Sequence, residues 1–143
     1  MGDPATATRL SNAALEQPAE PRLLVIIPAY NEEHSLARVI GNVRSAMPGI
    51  DIVVIDDGST DETAAIAAGQ GVALVRLPYN LGIGTAMQTG FLFARQRGYD
   101  YAIQVDGDGQ HDPREIPDLL AALQATGADV VIGPPHTQDR GHI

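Results

Sequence analysis

Five short aliphatic runs, each separated from the next by a polar loop and a stretch of helical spacing, constrain the fold of this chain more than any other feature. The first, Leu23-Leu24-Val25-Ile26-Ile27, is continuous rather than alternating, the pattern of a strand covered on both faces. The loop Pro28-Ala29-Tyr30-Asn31-Glu32-Glu33 follows, and then Leu36, Val39, Ile40, Val43 and Met47 recur at helical intervals. The second run, Asp51 to Ile55, enters the loop Asp56-Asp57-Gly58-Ser59. There Ser59 and Glu62 have the spacing of a capping box, opening an Ala-rich helix that Gly69 and Gly71 close. The third, Ala73 to Leu77, passes through Pro78 to Gly84 into a helix ending near Arg97. The fourth, Tyr101 to Val105, is followed by Asp106-Gly107-Asp108-Gly109-Gln110-His111. Asp112 then predicts a helix cap, with Pro113 at N1 and Glu115 at N3, ahead of the stripe Ile116, Leu119, Leu120 and Leu123. Asp129 to Ile132 predicts a fifth strand.

This alternation predicts an α/β fold: a doubly wound, mostly parallel sheet in three α/β/α layers, with right-handed crossovers. In such sheets ligands bind beyond the carboxyl ends of the strands, at the point where strand order switches. The loops after the first, second and fourth runs lie at those ends and hold most of the unusual polar residues. Residues 1–21, rich in Ala, Thr, Pro and Glu, predict a disordered tail; 22–133 form the expected domain, and 134–143 a divergent C-terminal tail. No apolar run approaches the roughly 20 residues that cross a bilayer. The N-terminus lacks the basic and apolar regions of a secretory signal. The expected compartment is the cytoplasm, with a peripheral membrane role left open.

Composition removes several chemistries. Eighteen acidic against nine basic residues, a net charge of −9, argue against a nonspecific nucleic-acid or anionic-membrane binder, which needs a basic face. Every basic residue is Arg, so lysine Schiff bases and phosphate-loop lysines are excluded. With no cysteine, any metal must rest on oxygen or imidazole.

Asp106 and Asp108 are two apart, so an extended backbone points both carboxylates to one side. Carboxylates about 4 Å apart repel by roughly 4 kcal/mol at an effective dielectric of about 20. A divalent cation removes that penalty, and oxygen ligands select Mg²⁺, Mn²⁺ or Ca²⁺. Gln110, one further step along, offers an amide oxygen, and Gly107 and Gly109 let a phosphate approach the backbone. An acidic turn without a ligand fits the triplet equally. An EF-hand loop does not, because its sixth position is His111 and its twelfth Pro117. Asp112 suits a helix cap better than a ligand. Of Asp56 and Asp57, one serves the turn; Asp57 is the expected ligand-facing acid, since an acid at a strand end commonly accepts from a ribose or base. Tyr30 offers an aromatic face and hydroxyl suited to a nucleobase or ribose, and Glu32 a second acceptor. Asn31 is also placed to cap the following helix while Glu32 and Glu33 complement its dipole, and the two readings can hold together. Gly82-Ile83-Gly84 falls short of a dinucleotide fingerprint, because Met87 replaces the third small residue and the pair follows the third strand, so it reads as a helix-entry turn.

Val25 to Glu32, Ile55 to Asp61 and Val105 to Pro113, in this order and spacing, resemble the family-2 glycosyltransferases of the GT-A fold. The resemblance is strongest to the dolichol- or polyprenyl-phosphate mannosyltransferase-like branch; Asn80-Leu81-Gly82 followed by Gly84 also resembles that branch, and the likeness runs from about Leu23 to Gly133. It implies that Pro28, Ala29, Tyr30, Glu32 and Gly107 line a nucleotide pocket and that Ile55 and Asp57 contact base or ribose. It implies that Asp106 and Asp108 are the metal-binding D-x-D pair, with Gln110 a further ligand, and that Asp108 acts in catalysis through the metal. The implied activity is inverting, Mg²⁺- or Mn²⁺-assisted transfer of a sugar from a GDP- or UDP-sugar to an acceptor such as a polyprenyl phosphate at a membrane surface. Gly107 stands where that branch commonly has Ala, a change expected to be neutral. A hydroxyl acceptor needs a general base, for which the sequence has no candidate; a phosphate acceptor is already anionic. Relatives continue beyond the fifth strand, whereas Pro134 to Ile143 departs from the family pattern. The expectation is a truncated end, with the donor half kept and Arg140 not equivalent to the family's arginine. A nonenzymatic remnant is the alternative. A sugar-phosphate nucleotidyltransferase is disfavoured, because Pro28 to Glu33 has neither Gly nor a basic residue.

Overall fold

The computed structural model describes residues 21–109 and 112–126. Strands β1 (Leu23–Ala29), β2 (Asp51–Asp56), β3 (Ala73–Arg76) and β4 (Tyr101–Gln104) form one parallel sheet in the order β3-β2-β1-β4. Helices α1 (Leu36–Ala46), α2 (Thr63–Gly69) and α3 (Ile83–Gln96) alternate with them, and a 3-10 turn over Pro113–Glu115 leads into α4 (Ile116–Thr126). The expected α/β class and parallel sheet are present. The fifth strand and both tails lie outside the described residues.

The continuous apolar character of β1 follows from its central place. All seven of its residues are buried. Leu23, Val25, Ile27 and Ala29 pack on one side with Leu36, Val39, Ile40 and Val43 of α1 and Ile116 and Leu123 of α4. Leu24 and Ile26 pack on the other with Val53, Ile55, and Ala86, Met87 and Ala94 of α3. Successive strand residues point to opposite faces, so a strand with helices on both faces has no polar position. Gly90 lets α3 lie close to β1: a Cβ there would fall 2.5 Å from Ile26 Cγ2.

Strand order switches at β1, which has β2 on one side and β4 on the other. Pairing with β4 ends at Ile26 opposite Gln104, followed by a last bond from the Val105 N–H to the Ile26 carbonyl, 2.9 Å. A parallel ladder would continue with the residue 28 N–H reaching the Val105 carbonyl, but Pro28 has no N–H to give. β1 and β4 therefore part where the proline stands, and the gap between them opens the cleft.

Two local expectations are corrected. The Ser59–Glu62 capping box does not form: α2 begins at Thr63, whose N–H donates to Asp61 Oδ1 at 2.9 Å. Ser59 instead accepts from the Asn31 N–H at 2.9 Å. Asn31 does not cap α1; it adopts a positive φ of 52° and its side-chain oxygen accepts from the Thr60 N–H at 2.8 Å. In both cases a bond between loops takes the side chain that a local reading gives to a helix end. Asp112 does cap its turn, accepting from the Arg114 N–H at 2.9 Å. Gly82, with φ 101°, forms the entry turn to α3.

Candidate functional site

The loops at the carboxyl ends of the strands are bonded into one platform. The Glu32 N–H donates to Thr63 Oγ1 (2.8 Å), and the Glu62 N–H donates to Glu33 Oε1 (3.1 Å), joining the loops after β1 and β2. Ser35 Oγ donates to the Gly107 carbonyl (2.7 Å), joining α1 to the loop after β4. Asp57 joins the loops after β2 and β3. Its Oδ1 accepts from the Leu81 N–H (2.8 Å), and its Oδ2 accepts from the Gly82 N–H (3.0 Å) and Asn80 Nδ2 (3.1 Å).

This platform surrounds a cleft of about 360 Å³ beside the switch point. Pro28, Ala29, Tyr30, Glu32, Asp57, Asp106, Gly107 and Asp108 all line it, together with Asn80, Gly82, Ile83 and Ala86. The structure thus gathers most of the residues the sequence singles out. Ile55 is the exception: it is fully buried in the core beneath α3 and does not line the cleft. As an inward-facing residue of β2, it supports the cleft from behind instead of offering a side-chain surface to a ligand. Gln110 lies outside the described residues.

Tyr30 stands at the rim with 44% of its surface exposed, leaving a ring face for a planar ligand. Asp57 is buried at the cleft wall, and its carboxylate is already engaged by the loop after β3. Asp56 is the acid that serves the turn: Oδ1 accepts from the Ser59 N–H (3.1 Å), while Oδ2 faces Arg76 Nε at 3.5 Å. Gly107 is close-packed; a Cβ would lie 3.1 Å from the Ala29 Cβ and 3.2 Å from the Pro28 carbonyl oxygen. An alanine there would therefore need these neighbours to give by a few tenths of an ångström.

Asp106 and Asp108 share the cleft with Glu32, and Gln104 Nε2 orients Asp106 by donating to its Oδ1 at 2.8 Å. Burial, and next the charge of Asp108, hold the Glu32 carboxyl above the usual glutamate range; Asp61 and Asp106 add to the rise, and the Ser35 hydroxyl opposes it. The cleft is therefore a region of negative potential. Among the described residues, no group of three carboxylates or imidazoles is arranged to hold a metal ion unaided. Two aspartates at an anionic cleft do fit Mg²⁺ or Mn²⁺ as such ions sit in nucleotide sites, on one or two carboxylates with phosphate oxygens completing the shell. Sequence reasoning missed Arg38 of α1, whose guanidinium lies against Gly109: a Cβ there would be 3.1 Å from it. Sequence reasoning also missed the bridging hydroxyls of Ser35 and Thr63. Their partners are remote in sequence, so no local signal marks them.

The raised Glu32 value gives a prediction of sign. A carboxyl whose pKa is higher in the folded state favours folding when protonated. That contribution is complete below the unfolded value of 4.5 and is lost as pH rises through the folded value. Glu32→Gln should flatten this part of the stability curve and leave the variant more stable than wild type at pH 7. Solvent screening in an open cleft keeps the gain to about 1 kcal/mol or less. Urea unfolding between pH 4 and 8 reads the slope directly, and an unchanged slope would refute the coupling.

The model of glycosyl transferase family 2 matches residues 24–141. The chain belongs to glycosyl transferase family 2. Among its relatives, polyprenol monophosphomannose synthase of Mycolicibacterium smegmatis is 41% identical over 118 residues, covering 78% of this chain and 44% of that protein. Undecaprenyl-phosphate mannosyltransferase of Micrococcus luteus is 39% identical over 117 residues, covering 78% of this chain and 47% of that protein. This family-2 chain thus spans about half the length of the curated relatives it matches. The crystal structure of glucosyl-3-phosphoglycerate synthase from Mycobacterium tuberculosis in complex with Mn²⁺, UDP and glucosyl-3-phosphoglycerate superposes with a TM-score of 0.60 at 27% identity, over 72% of this chain and 39% of that one. The fold is the GT-A arrangement of these glycosyltransferases.

Proposed function

We propose that the cleft binds a nucleoside-diphosphate sugar, GDP- or UDP-linked, and serves inverting transfer of the sugar to a polyprenyl phosphate. The observation that carries this reading is the convergence of an exposed aromatic face (Tyr30) and an acidic pair (Asp106, Asp108) on one cleft at the switch point. In this reading, Pro28, Ala29, Tyr30 and Glu32 hold the nucleoside, Asp57 fixes the wall that faces it, and Gly107 brings the diphosphate close to the backbone. Asp106 and Asp108 hold Mg²⁺ or Mn²⁺, with Gln110 as a further ligand. When bound, the cation supplies charge neutralisation at the leaving diphosphate. An acceptor phosphate oxygen attacks the anomeric carbon from the face opposite the diphosphate, the sugar–diphosphate bond breaks, and the nucleoside diphosphate leaves. No proton need be removed from an acceptor that is already anionic. The names of the relatives support a polyprenyl-phosphate acceptor, and the UDP and Mn²⁺ of the solved neighbour support the donor class and the cation. Among the described residues no helix is long and apolar enough to cross a membrane; the proposed placement, cytoplasmic and peripheral to a membrane, is supported by the polyprenyl-phosphate acceptor in the relatives' names.

The chain spans about half the length of each of these relatives, so donor binding and sugar transfer are separate questions, and binding without transfer is the second reading. Calorimetric titration with GDP and UDP, each with and without Mn²⁺, tests the shared part. One nucleotide should bind at least about tenfold more tightly with Mn²⁺. Absence of binding by either would overturn both readings. Release of nucleoside diphosphate from the sugar donor in the presence of a polyprenyl phosphate separates transfer from binding alone.

A further inference from the structure

The loop after β3 is held rigidly, yet it presents apolar side chains to solvent. The backbone N–H groups of Leu81 and Gly82 and the side-chain amide of Asn80 donate to Asp57 and tie the loop down, while Tyr79, Leu81 and Ile83 remain 69%, 48% and 58% exposed. The exposure continues onto α3. Ala86, Met87, Gly90 and Ala94 face the sheet. Gly84, Gln88, Phe91 and Arg95 follow the spacing of one outward face, with Leu92 beside them, and Phe91 and Leu92 are 44% and 49% exposed. Among the described residues, α3 is the helix that covers this side of the sheet, since α1, α2 and α4 pack in the opposite cluster.

Charge is segregated along the same stretch of sequence. No Asp or Glu occurs between Glu62 and Asp100, so all eighteen acidic residues lie outside that stretch, while Arg76, Arg95 and Arg97 lie within it. A chain of net charge −9 is repelled as a whole by an anionic membrane. Here it offers apolar and aromatic side chains flanked by arginines, the composition of a face that lies in a lipid interface. The loop is continuous with the cleft, which Asn80, Gly82 and Ile83 line.

We propose that the β3–α3 loop and the outward face of α3 dock on an anionic lipid surface, with Tyr79, Leu81, Phe91 and Leu92 inserted at headgroup depth and Arg95 and Arg97 among the phosphates. The inference rests on the polyprenyl-phosphate reading above for its purpose, because docking this loop sets the mouth of the cleft against the membrane that holds such an acceptor. Phe91 and Leu92 neither line the cleft nor belong to the loop that Asp57 holds, so they can be changed without altering the nucleotide site.

Flotation with vesicles of phosphatidylglycerol and phosphatidylcholine, against pure phosphatidylcholine, tests it. The chain should float with the anionic vesicles, and less so as salt rises. Tyr79→Ser with Leu81→Ser, and separately Phe91→Ser with Leu92→Ser, should each reduce partitioning by about tenfold or more. Arg95→Gln with Arg97→Gln should remove the preference for anionic lipid. Thermal melts should match wild type in both apolar variants, and Mn²⁺-dependent nucleotide binding should match in the Phe91→Ser, Leu92→Ser pair, which excludes misfolding as the cause. A wild-type chain that stays out of the anionic vesicles, or apolar variants that partition like wild type, would overturn the proposal. So would a lipid-free dimer that both apolar pairs dissociate without any vesicle binding, since the face would then join two copies. Vesicle binding without nucleotide binding would retire the donor reading and keep the docking surface; the converse would do the opposite.

Discussion

Gly58→Ala should lower the free energy of unfolding by about 4 kcal/mol, at the upper end of single-residue effects, and should disorder the wall of the cleft. Gly58 has a φ of 74°, in the left-handed region. A Cβ there would fall 2.3 Å from the Tyr79 carbonyl carbon, 2.5 Å from the Asn80 nitrogen and 2.7 Å from the Tyr79 oxygen. All three are backbone atoms, so no rotamer change relieves the clash and the loop after β3 must move. That loop is anchored at the neighbouring residue, because the Asp57 carboxylate accepts from Leu81, Gly82 and Asn80. Moving it leaves a buried carboxylate short of donors, at about 1–3 kcal/mol or more for a charged group, and the left-handed backbone adds about 1–2 kcal/mol. Gly71→Ala is the matched control: its φ is also 74°, but nothing lies within 4 Å of the added Cβ. It should cost only the backbone strain. Urea unfolding of the two variants at pH 7 isolates the contact between loops. Equal costs would show that the close approach of Gly58 to Tyr79 contributes nothing.

Gly58 also marks where the sequence stops being legible. The runs from Leu23 and Asp51 announce β1 and β2, because burial on both faces leaves no polar position to break the pattern. Asp106 and Asp108 both line the cleft, but not by the strand periodicity their spacing suggests: β4 ends at Gln104, and the Gly109 N–H donates to the Asp106 carbonyl at 3.3 Å, closing a turn over the pair. The platform is different in kind. Asn31, Ser59, Asp57 and Thr63 look locally like caps and turn residues, and each is used across a gap of more than twenty residues, as in Asn31 to Ser59 and Asp57 to Leu81. A cap and a bridge between loops need the same short polar side chain, so residue type cannot tell them apart. Ile55, which the family resemblance assigns to the nucleotide, shows the complementary case: the pleat turns its side chain into the core, so it offers no side-chain surface to the cleft. Pro28 runs the other way. A proline in a central strand argues against pairing on one side, and that side is where β4 departs and the cleft opens.

Asp108→Asn should change nucleotide binding and stability unequally. With Mn²⁺ present, affinity for the preferred nucleoside diphosphate should fall by about 100-fold, roughly 2.7 kcal/mol, while affinity without metal stays the same. The free protein, in contrast, should melt no lower than wild type. The reason lies in the position of the carboxylate. Asp108 is exposed at the cleft, and its charge is the foremost electrostatic cause of the raised Glu32 value, ahead of Asp61 and Asp106. Asparagine keeps the shape and an acceptor oxygen, removes that repulsion, and should let the Glu32 carboxyl fall toward its ordinary range. Carboxylates clustered at a cost to the free fold are the pattern of a site that becomes balanced when a cation binds. An acidic turn without a ligand makes the opposite prediction, because aspartates kept for turn geometry stabilise the chain that contains them. Thermal melts without metal and calorimetry with it, on the same two proteins, decide between these readings. A variant that melts lower and still binds nucleotide in a Mn²⁺-dependent way would reduce the acidic pair to a turn and place the cation elsewhere.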